Sequence, residues 1–453
     1  MNQNNTDDVA YLSTEKLALS STQLGIFLAD HRSNADDLYS IAHCIELPKT
    51  LNIQQFKYAI QLGLNEADSV VAQYSNQQEY PYLQFSQHNI DVECFDFRHL
   101  TPQQAIARVW GWMPSDRDAA KSLNTTSGRL YRQVLFITHD TVFWYQRYHH
   151  IMLDGFSFVS LSRRILDLYK QLQCNIPLSD SPFVSLEQAL EERHHYKKSE
   201  NYQKDKLFWT NYCQKLVTPV SLSNKKLSPT ITSRFIQHQI KLSSGILDSI
   251  QTLARQHKLT VPDLMMALSL YYLGYYTQQS TLAVGVAFMR RLGSQAIRAT
   301  LPRVNILPVQ FSIQAHDSWL SLAEHVQQQI HLIRSHQHYD ADDIVRDLEN
   351  LNIHQCLYGP ILNYKVFDHD LGKIENETVY THHISTGPIR DFEFSFMVQQ
   401  GELLVTLRGD TERYQRHDLH LHASQLSAWL EQCLIHPEQQ FKDFNLVTLQ
   451  HAS

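Results

Sequence analysis

Residues 149 to 155 read His149-His150-Ile151-Met152-Leu153-Asp154-Gly155: two imidazoles, three apolar side chains, then a carboxylate ahead of a glycine. An imidazole suits proton transfer near neutral pH, because its unperturbed pKa lies close to the pH at which the chemistry would run. His150 is the better candidate of the pair, since it opens a loop while His149 still belongs to the alternating run before it and is expected to face inward. Asp154 is either a second acid or base or an anchor that fixes the loop. An Asp just before Gly in a tight turn favours the anchor, which then needs a cationic partner. An arbitrary His-His pair beside a turn is more often core or surface; four fixed identities in seven shift the balance toward function.

These residues must be held by a strand that gives way to a helix. Strands are predicted over 132–138 and 142–148, with His139-Asp140 as the hairpin turn between them. After the heptad, Phe158, Leu161, Ile165, Leu168 and Leu172 recur every three or four residues, one apolar face of an amphipathic helix. Upstream, the spacing predicts helices over 21–29 and 53–64, strands over 39–46 and 70–74, and a helix after Thr101-Pro102. Residues 174–184 carry two prolines and several turn formers, the best domain boundary in the chain. Beyond it, Thr260-Val261-Pro262-Asp263 reads as a capped helix start running through Tyr276. Strands over 282–288, 306–313, 361–367 and 403–407 and helices over 318–334 and 422–434 complete an α/β pattern. Two units follow, 1–178 carrying the heptad and 179–453.

A chain of 453 residues exceeds the length at which one core usually stops growing. Apolar residues make up 43% and charged residues 19%, an ordinary soluble composition. The net charge of -7 and the scatter of basic residues in short clusters argue against nucleic acid as a partner. The polar amino terminus, Met1 to Asp8, and the lack of any run of about 18 apolar residues lead to a soluble cytoplasmic protein with no membrane partner. Cys44, Cys94, Cys174, Cys213, Cys356 and Cys433 form no C-x-x-C pair and are expected as buried free thiols. His417, His420 and His422 lack companions at ligand spacing, so surface histidines and no metal are expected.

The heptad matches the HHxxxDG motif of the superfamily that joins nonribosomal peptide synthetase condensation domains with chloramphenicol acetyltransferase. Leu19-Ser20-Ser21-Thr22-Gln23-Leu24-Gly25-Ile26-Phe27 resembles the opening motif of condensation domains. Trp144-Tyr145-Gln146-Arg147-Tyr148 and Phe156-Ser157-Phe158, on either side of the heptad, resemble condensation domains of the enterobactin synthase type. So do Phe288 to Ser294, Val304 to Pro308, His336-Gln337 with Tyr339-Asp340-Ala341, Ile344 to Asp347, and Lys365-Val366-Phe367-Asp368. Residues 381–390, with His382-His383 and Gly387-Pro388, resemble a segment near the crossover that covers the tunnel; that second His pair lacks the Asp-Gly sequel and is assigned no catalysis.

The resemblance implies two acetyltransferase-like lobes in a V-shaped pseudodimer, each a mixed sheet flanked by helices, in a monomer. The heptad lies at their junction, in a tunnel entered from opposite faces by two substrates. Each substrate is delivered on the 4'-phosphopantetheine arm of a carrier protein, and the domain itself binds no cofactor. The acceptor amine attacks the donor thioester to form an amide, with His150 beside it as general base or as positioning group. His149 and Gly155 complete the catalytic set, backbone N–H groups near Gly155 being candidates for the oxyanion. Asp154 is implied to be structural and to pair with Arg291, Arg290 being the poorer match; the rival reading is a solvated basic pair. Ser157 and Asn305 are substrate-tunnel candidates, against a helix cap for the first and a buried structural hydrogen bond for the second.

One departure bears on the donor. Where common peptide-forming domains carry Arg-His-Glu followed by Leu-Arg, this chain reads Asn65-Glu66-Ala67-Asp68-Ser69-Val70-Val71. Enterobactin-type domains share that loss in part, which implies a 2,3-dihydroxybenzoyl or related aryl donor on an aryl carrier protein and an aminoacyl acceptor on a peptidyl carrier protein. No Gly-Gly-x-Ser attachment site and no Gly-rich adenylation motif occurs, so both carriers come from elsewhere. The first domain of a longer synthetase is preferred to a free-standing enzyme acylating a soluble amine or polyamine. A coenzyme A-dependent acetyltransferase is disfavoured by length, and a noncatalytic docking module by the intact heptad.

Overall fold

The computed structural model describes residues 16–32, 38–75, 81–85, 90–118, 130–227, 230–350, 356–365 and 370–443. The strands of its two larger sheets are β1 (Ser40–Pro48), β2 (Glu93–Asp96), β3 (Tyr131–Ile137), β4 (Thr141–His149), β5 (Phe235–Leu242), β6 (Thr281–Phe288), β7 (Asn305–Ser312), β8 (Ile361–Lys365), β9 (Tyr380–Thr386), β10 (Phe392–Gln399) and β11 (Glu402–Asp410). The helices that position the site are α1 (Ser21–Arg32), α2 (Ile53–Asn65), α3 (Pro102–Asp118), α4 (Gly155–Gln173), α5 (Leu186–Lys198), α6 (Val261–Thr277), α7 (Trp319–Ser335), α8 (Ala341–Glu349) and α9 (Arg416–Ile435). One sheet has the order β9-β1-β4-β3-β2 and the other β7-β6-β8-β10-β11-β5.

In the first lobe β3 and β4 form the expected hairpin, paired from Tyr131 opposite Tyr148 to Ile137 opposite Val142. The strand β4 is buried on both faces, which its nearly unbroken apolar and aromatic sequence requires. Trp144 and Tyr148 pack with Phe56 of α2 and Phe158 and Ile165 of α4. Phe143 and Tyr145 pack on the other side with Val109 and Met113 of α3. The stripe Phe158, Leu161, Ile165 and Leu168 is buried, as its helical spacing dictates. Gly63 lets α2 approach α4, since a Cβ there would collide with Ile165.

The second lobe packs α6, α7 and α9 on one face of its sheet. Thr260 and Asp263 form a reciprocal capping box at the start of α6, and that helix is apolar on all sides because it lies inside the layer. Along β10, Phe392, Phe394 and Phe396 enter this core while Glu393 and Ser395, with the alternation of a strand, face the other way.

The first-lobe sheet takes four strands from before residue 178 and one from well after it. The strand β9 lies in the first-lobe sheet, antiparallel to β1 from Tyr380 opposite Glu46 to Thr386 opposite Ile41. Leu371, Ile374 and Val379 accordingly join the first-lobe core. Local periodicity does not say which strand edge a segment will cover, so the exchange is invisible in it. Residues 70–74 also differ: Asp68–Val71 is a short helix and the strand is Ala72–Ser75. Residues 366 and 367 of the predicted strand over 361–367 lie outside the described residues, as does the amino terminus. Of the six thiols, Cys44, Cys213 and Cys433 are buried but Cys94 and Cys174 are exposed. His422 is not a surface residue; it is buried, 2.7 Å from the Tyr272 hydroxyl, because its side of α9 faces the core. No described helix is long and apolar enough to cross a membrane.

Candidate active site

The heptad is the turn between β4 and α4. Its backbone is tied at both ends: His149 N–H donates to the Leu130 carbonyl and His150 N–H to the Tyr39 carbonyl, each at 2.7 Å. The His149 ring is buried. Its Nδ1 accepts the Ile151 N–H at 3.2 Å, and its Nε2 lies 3.6 Å from Asp30 Oδ1. The Ile151 carbonyl accepts from Gln23 Nε2 at 3.2 Å and from the Tyr74 hydroxyl at 3.3 Å. Gln23 also exchanges two 3.1 Å hydrogen bonds with Ser20 at the start of α1. The glutamine of the opening motif therefore caps its own helix and braces the histidine turn.

His150 is left under-partnered. Its Nδ1 is buried and has no hydrogen-bond partner among the described residues. Gly387, at φ +88°, lies against the ring, and a Cβ there would begin 3.0 Å from Cδ2 and 3.7 Å from Nε2. Burial pushes the imidazole pKa below 6.5, opposed by its own backbone, by the nearby Asp154 charge and by the Leu153 backbone. The ring is thus uncharged at neutral pH and can accept a proton.

Asp154 has the opposite surroundings. Both carboxylate oxygens lie 2.9 Å from Arg291 Nη2. Oδ1 caps α4 through the Ser157 N–H at 2.9 Å, and Oδ2 accepts the Arg303 N–H at 2.8 Å and the Val304 N–H at 3.3 Å. Burial alone would raise this carboxyl; the Arg291 charge and the N–H donors outweigh it and hold it at about 2. A carboxylate so held handles no proton at working pH. Arg291 is fully buried and also donates to the Ala299 carbonyl at 3.0 Å and the Leu301 carbonyl at 2.6 Å. Arg290 is buried too, 2.6 Å from Asp340 and 2.9 Å from the Thr22 hydroxyl, so a solvated basic pair is ruled out.

The two tunnel candidates, Ser157 and Asn305, make structural contacts. Ser157 is fully buried, with its hydroxyl 2.9 Å from Asp154 Oδ1 and 2.7 Å from Arg291 Nη2, so it belongs to the ion-pair cluster; the helix cap is Asp154, not Ser157. Asn305 donates to the Tyr339 carbonyl at 2.8 Å and accepts the Ala341 N–H at 3.1 Å, tying the start of β7 to α8. Ser157 spends its hydroxyl on the Asp154 and Arg291 side chains and Asn305 spends its amide on backbone neighbours, leaving little for substrate. Gly155 is exposed at the first turn of α4.

The divergent stretch from Asn65 to Val71 joins parts of the molecule. Glu66 takes a bidentate pair from Arg164 at 2.7 Å, Asp68 accepts the Leu186 N–H of α5 at 2.7 Å, and the Ser69 hydroxyl donates to the Thr300 carbonyl. Reading the residues missed Asp30 and Tyr39 as parts of the site, and had Gln23 only as a motif position and Gly387 only within a segment covering the tunnel. The Gly-Pro at 387–388 was the available signal for the last, since only glycine tolerates that backbone with an imidazole so close. Among the described residues no group of three or more His, Cys, Asp or Glu side chains could hold a metal ion.

The condensation-domain sequence profile matches residues 13–452. The chain belongs to the condensation-domain family. Condensation domains make amide bonds by acyl transfer, and that reaction class applies to it. It is 30% identical to enterobactin synthase component F of Escherichia coli (strain K12) over 430 residues, 94% of this chain and 33% of that one. It is 32% identical to vanchrobactin synthetase VabF of Vibrio anguillarum over 431 residues, 93% of this chain and 15% of the other. The chain thus spans a third or less of the length of these relatives. Solved structures with the same fold include the first condensation domain of the calcium-dependent antibiotic synthetase, with a TM-score of 0.85 at 18% identity over 95% of this chain and 98% of that one. The starter condensation domain of rhizomide synthetase RzmA gives 0.80 at 22% over 96% and 100%. The fold is the two-lobed, V-shaped acetyltransferase-like one.

Proposed function

We propose that this condensation domain joins an aryl acyl group of the 2,3-dihydroxybenzoyl type to the amine of an aminoacyl group in siderophore synthesis. The donor is a thioester on an aryl carrier protein, and the acceptor is held on a peptidyl carrier protein, each through a 4'-phosphopantetheine arm. The observation that carries the reaction is the uncharged His150, partly exposed at the junction with an unpartnered Nδ1. The amine nitrogen attacks the thioester carbonyl and sheds a proton as the tetrahedral intermediate forms. The carbon–sulfur bond then breaks and the departing thiolate takes up a proton. His150 serves this sequence by receiving the amine's proton and returning it to sulfur, or by orienting the amine. The N-terminus of α4 at Gly155 presents N–H groups and a partial positive charge suited to the oxyanion.

Similarity to the enterobactin and vanchrobactin synthetases supports the aryl donor and the siderophore setting. A cytoplasmic location and a monomeric state go with this reading. The test is mass spectrometry of products after mixing the domain with aryl-loaded and fatty-acyl-loaded carriers and with competing amines, both carrier-bound and soluble. Aryl amides on a peptidyl carrier are expected. Product on a soluble polyamine would replace the carrier-bound acceptor, and exclusive fatty-acyl transfer would overturn the donor.

A further inference from the structure

The face of β10 and β11 turned away from the second-lobe core carries a buried ion pair. Glu393 and Arg408 stand directly opposite each other in the antiparallel ladder, and Arg408 Nη1 donates to Glu393 Oε2 at 2.6 Å. Glu393 also accepts the Asn363 amide of β8 at 2.9 Å. Burial alone would raise this carboxyl; the Arg408 and Lys365 charges and the hydrogen bonds from Asn363 and Arg408 outweigh it and keep it ionised. Only 7% of Glu393 and 3% of Arg408 is exposed. Two charges so withdrawn from water cost more to desolvate than apolar residues of similar volume, so stability alone does not account for the pair.

The other arm of the guanidinium leaves the sheet. Arg408 Nη2 donates to the Gly387 carbonyl at 2.8 Å, and the guanidinium carbon lies 4.3 Å from the centre of the Phe235 ring. Gly387 directly follows β9, the strand that crosses to the first-lobe sheet. Before it, the Ser385 hydroxyl donates to the Ser40 carbonyl at 2.6 Å; after it, Ile389 exchanges backbone hydrogen bonds of 2.8 and 2.9 Å with Thr232. Pro388 has no N–H to give. Between those anchors the Gly387 carbonyl is held by Arg408.

On the other side of Gly387 is His150. A Cβ on Gly387 would stand 3.0 Å from the ring Cδ2. The His150 backbone is fixed by the Tyr39 carbonyl, but its Nδ1 has no hydrogen-bond partner among the described residues. A ring without such a bond keeps its orientation through packing, since the χ2 preference of histidine is broad. The Gly387 turn is a wall for that packing, and Arg408 holds the wall.

The geometry points to Arg408 as a positioning residue for the condensation reaction: held by Glu393, it fixes through Gly387 the angle at which the His150 imidazole meets the acceptor amine. The assignment rests on the reading of His150 as the residue that receives the amine's proton or orients the amine. A guanidinium suits the task because its planar fork serves a carboxylate and a carbonyl at once in one orientation. The second lobe thereby takes part in placing a first-lobe side chain.

The test replaces the pair in the full chain by uncharged residues, Glu393→Gln with Arg408→Met, which leaves no unpaired charge. Amide formation is followed with whichever of a 2,3-dihydroxybenzoyl-loaded or octanoyl-loaded carrier the parent turns over, alongside thermal melting. The kcat is expected to fall about tenfold to a hundredfold with KM within about twofold of the parent. In a His150→Ala background the same replacement is expected to change the remaining rate by less than about twofold, because effects that run through one residue do not add. Arg408→Lys, which keeps a cation beside Glu393 and loses the fork, is expected to lower kcat about threefold to tenfold. A parent-like kcat in the folded double variant, or an equal fold-loss with and without His150, overturns the positioning role alone. If His150→Ala by itself leaves the rate unaltered, the reading of His150 fails and the assignment with it. Should the double variant not fold, Arg408→Lys decides by the same comparison in the two backgrounds.

Discussion

Asp154 and His150 stand four residues apart in one turn and have opposite environments. Asp154 is saturated: one arginine, three backbone N–H groups and a serine hydroxyl surround it. His150 keeps a buried nitrogen without a partner, and the same holds for His43 on β1 of the same sheet. The difference separates structure from chemistry. A fully satisfied polar cluster rigidifies the join between lobes, whereas groups meant for substrate must be left with capacity to spare.

The sharpest way to break this contrast is His150→Ala. Amide formation is expected to fall by about a hundredfold to ten-thousandfold with the melting temperature unchanged. A condensation assay with carrier-bound donor would read it, and an unaltered rate would remove His150 from the chemistry. The rate–pH profile separates its two roles. A general base keeps full activity at neutral pH and loses it as pH falls through a pKa below 6.5, while a purely positioning ring gives a flatter acid limb.

Asp154→Ala should act on stability instead. It strands the Arg291 charge in the interior, and a loss of about 3 to 5 kcal/mol is expected in urea denaturation. A denaturation curve overlying that of the parent would make the pair dispensable. Removing Arg291 as well, in Asp154→Ala with Arg291→Met, should cost less than the sum of the two single changes.

Acid should dissolve the two regions at different pH. His43 and His422 are held uncharged by burial, at about 3 and about 4, while their unfolded counterparts titrate near 6.5. Between those values the unfolded chain binds more protons, so stability is full above pH 6.5 and falls as pH drops toward 4, by about 3 kcal/mol for each ring. The depressed Asp154 contributes stability that is complete above its unfolded pKa and lost only as pH falls toward about 2. Equilibrium unfolding at stepped pH should therefore show loss beginning near pH 6.5, and a flat response down to pH 4 would contradict the buried neutral imidazoles. The smallest expected effect is that of Gly387→Ala: a Cβ at positive φ costs about 1 kcal/mol of stability, and its approach to His150 lowers the condensation rate about tenfold.

Much of the site was legible because its decisive features are local. The strand before His149, the apolar spacing after Asp154 and the Thr260 cap each depend on residues a few positions apart. The pairing with Arg291 came from resemblance and not from any spacing, since 137 residues separate the partners. For Ser157 and Asn305 the sequence left a substrate role and a structural one open, because a small polar side chain looks the same whether it meets substrate or a protein neighbour. The polar face of β10 had a signal in the alternation Phe392-Glu393-Phe394-Ser395, but alternation alone reads as solvent exposure.

By itself the sequence determined the histidine turn, the helices and strands around it and the family to which the chain belongs, because motif and periodicity are properties of short segments. Only the tertiary structure decided that β9 crosses to the other lobe and that Asp154 is saturated while His150 is not. Those outcomes depend on which surfaces meet across long stretches of chain, where burial and hydrogen-bond saturation are settled by three-dimensional neighbours.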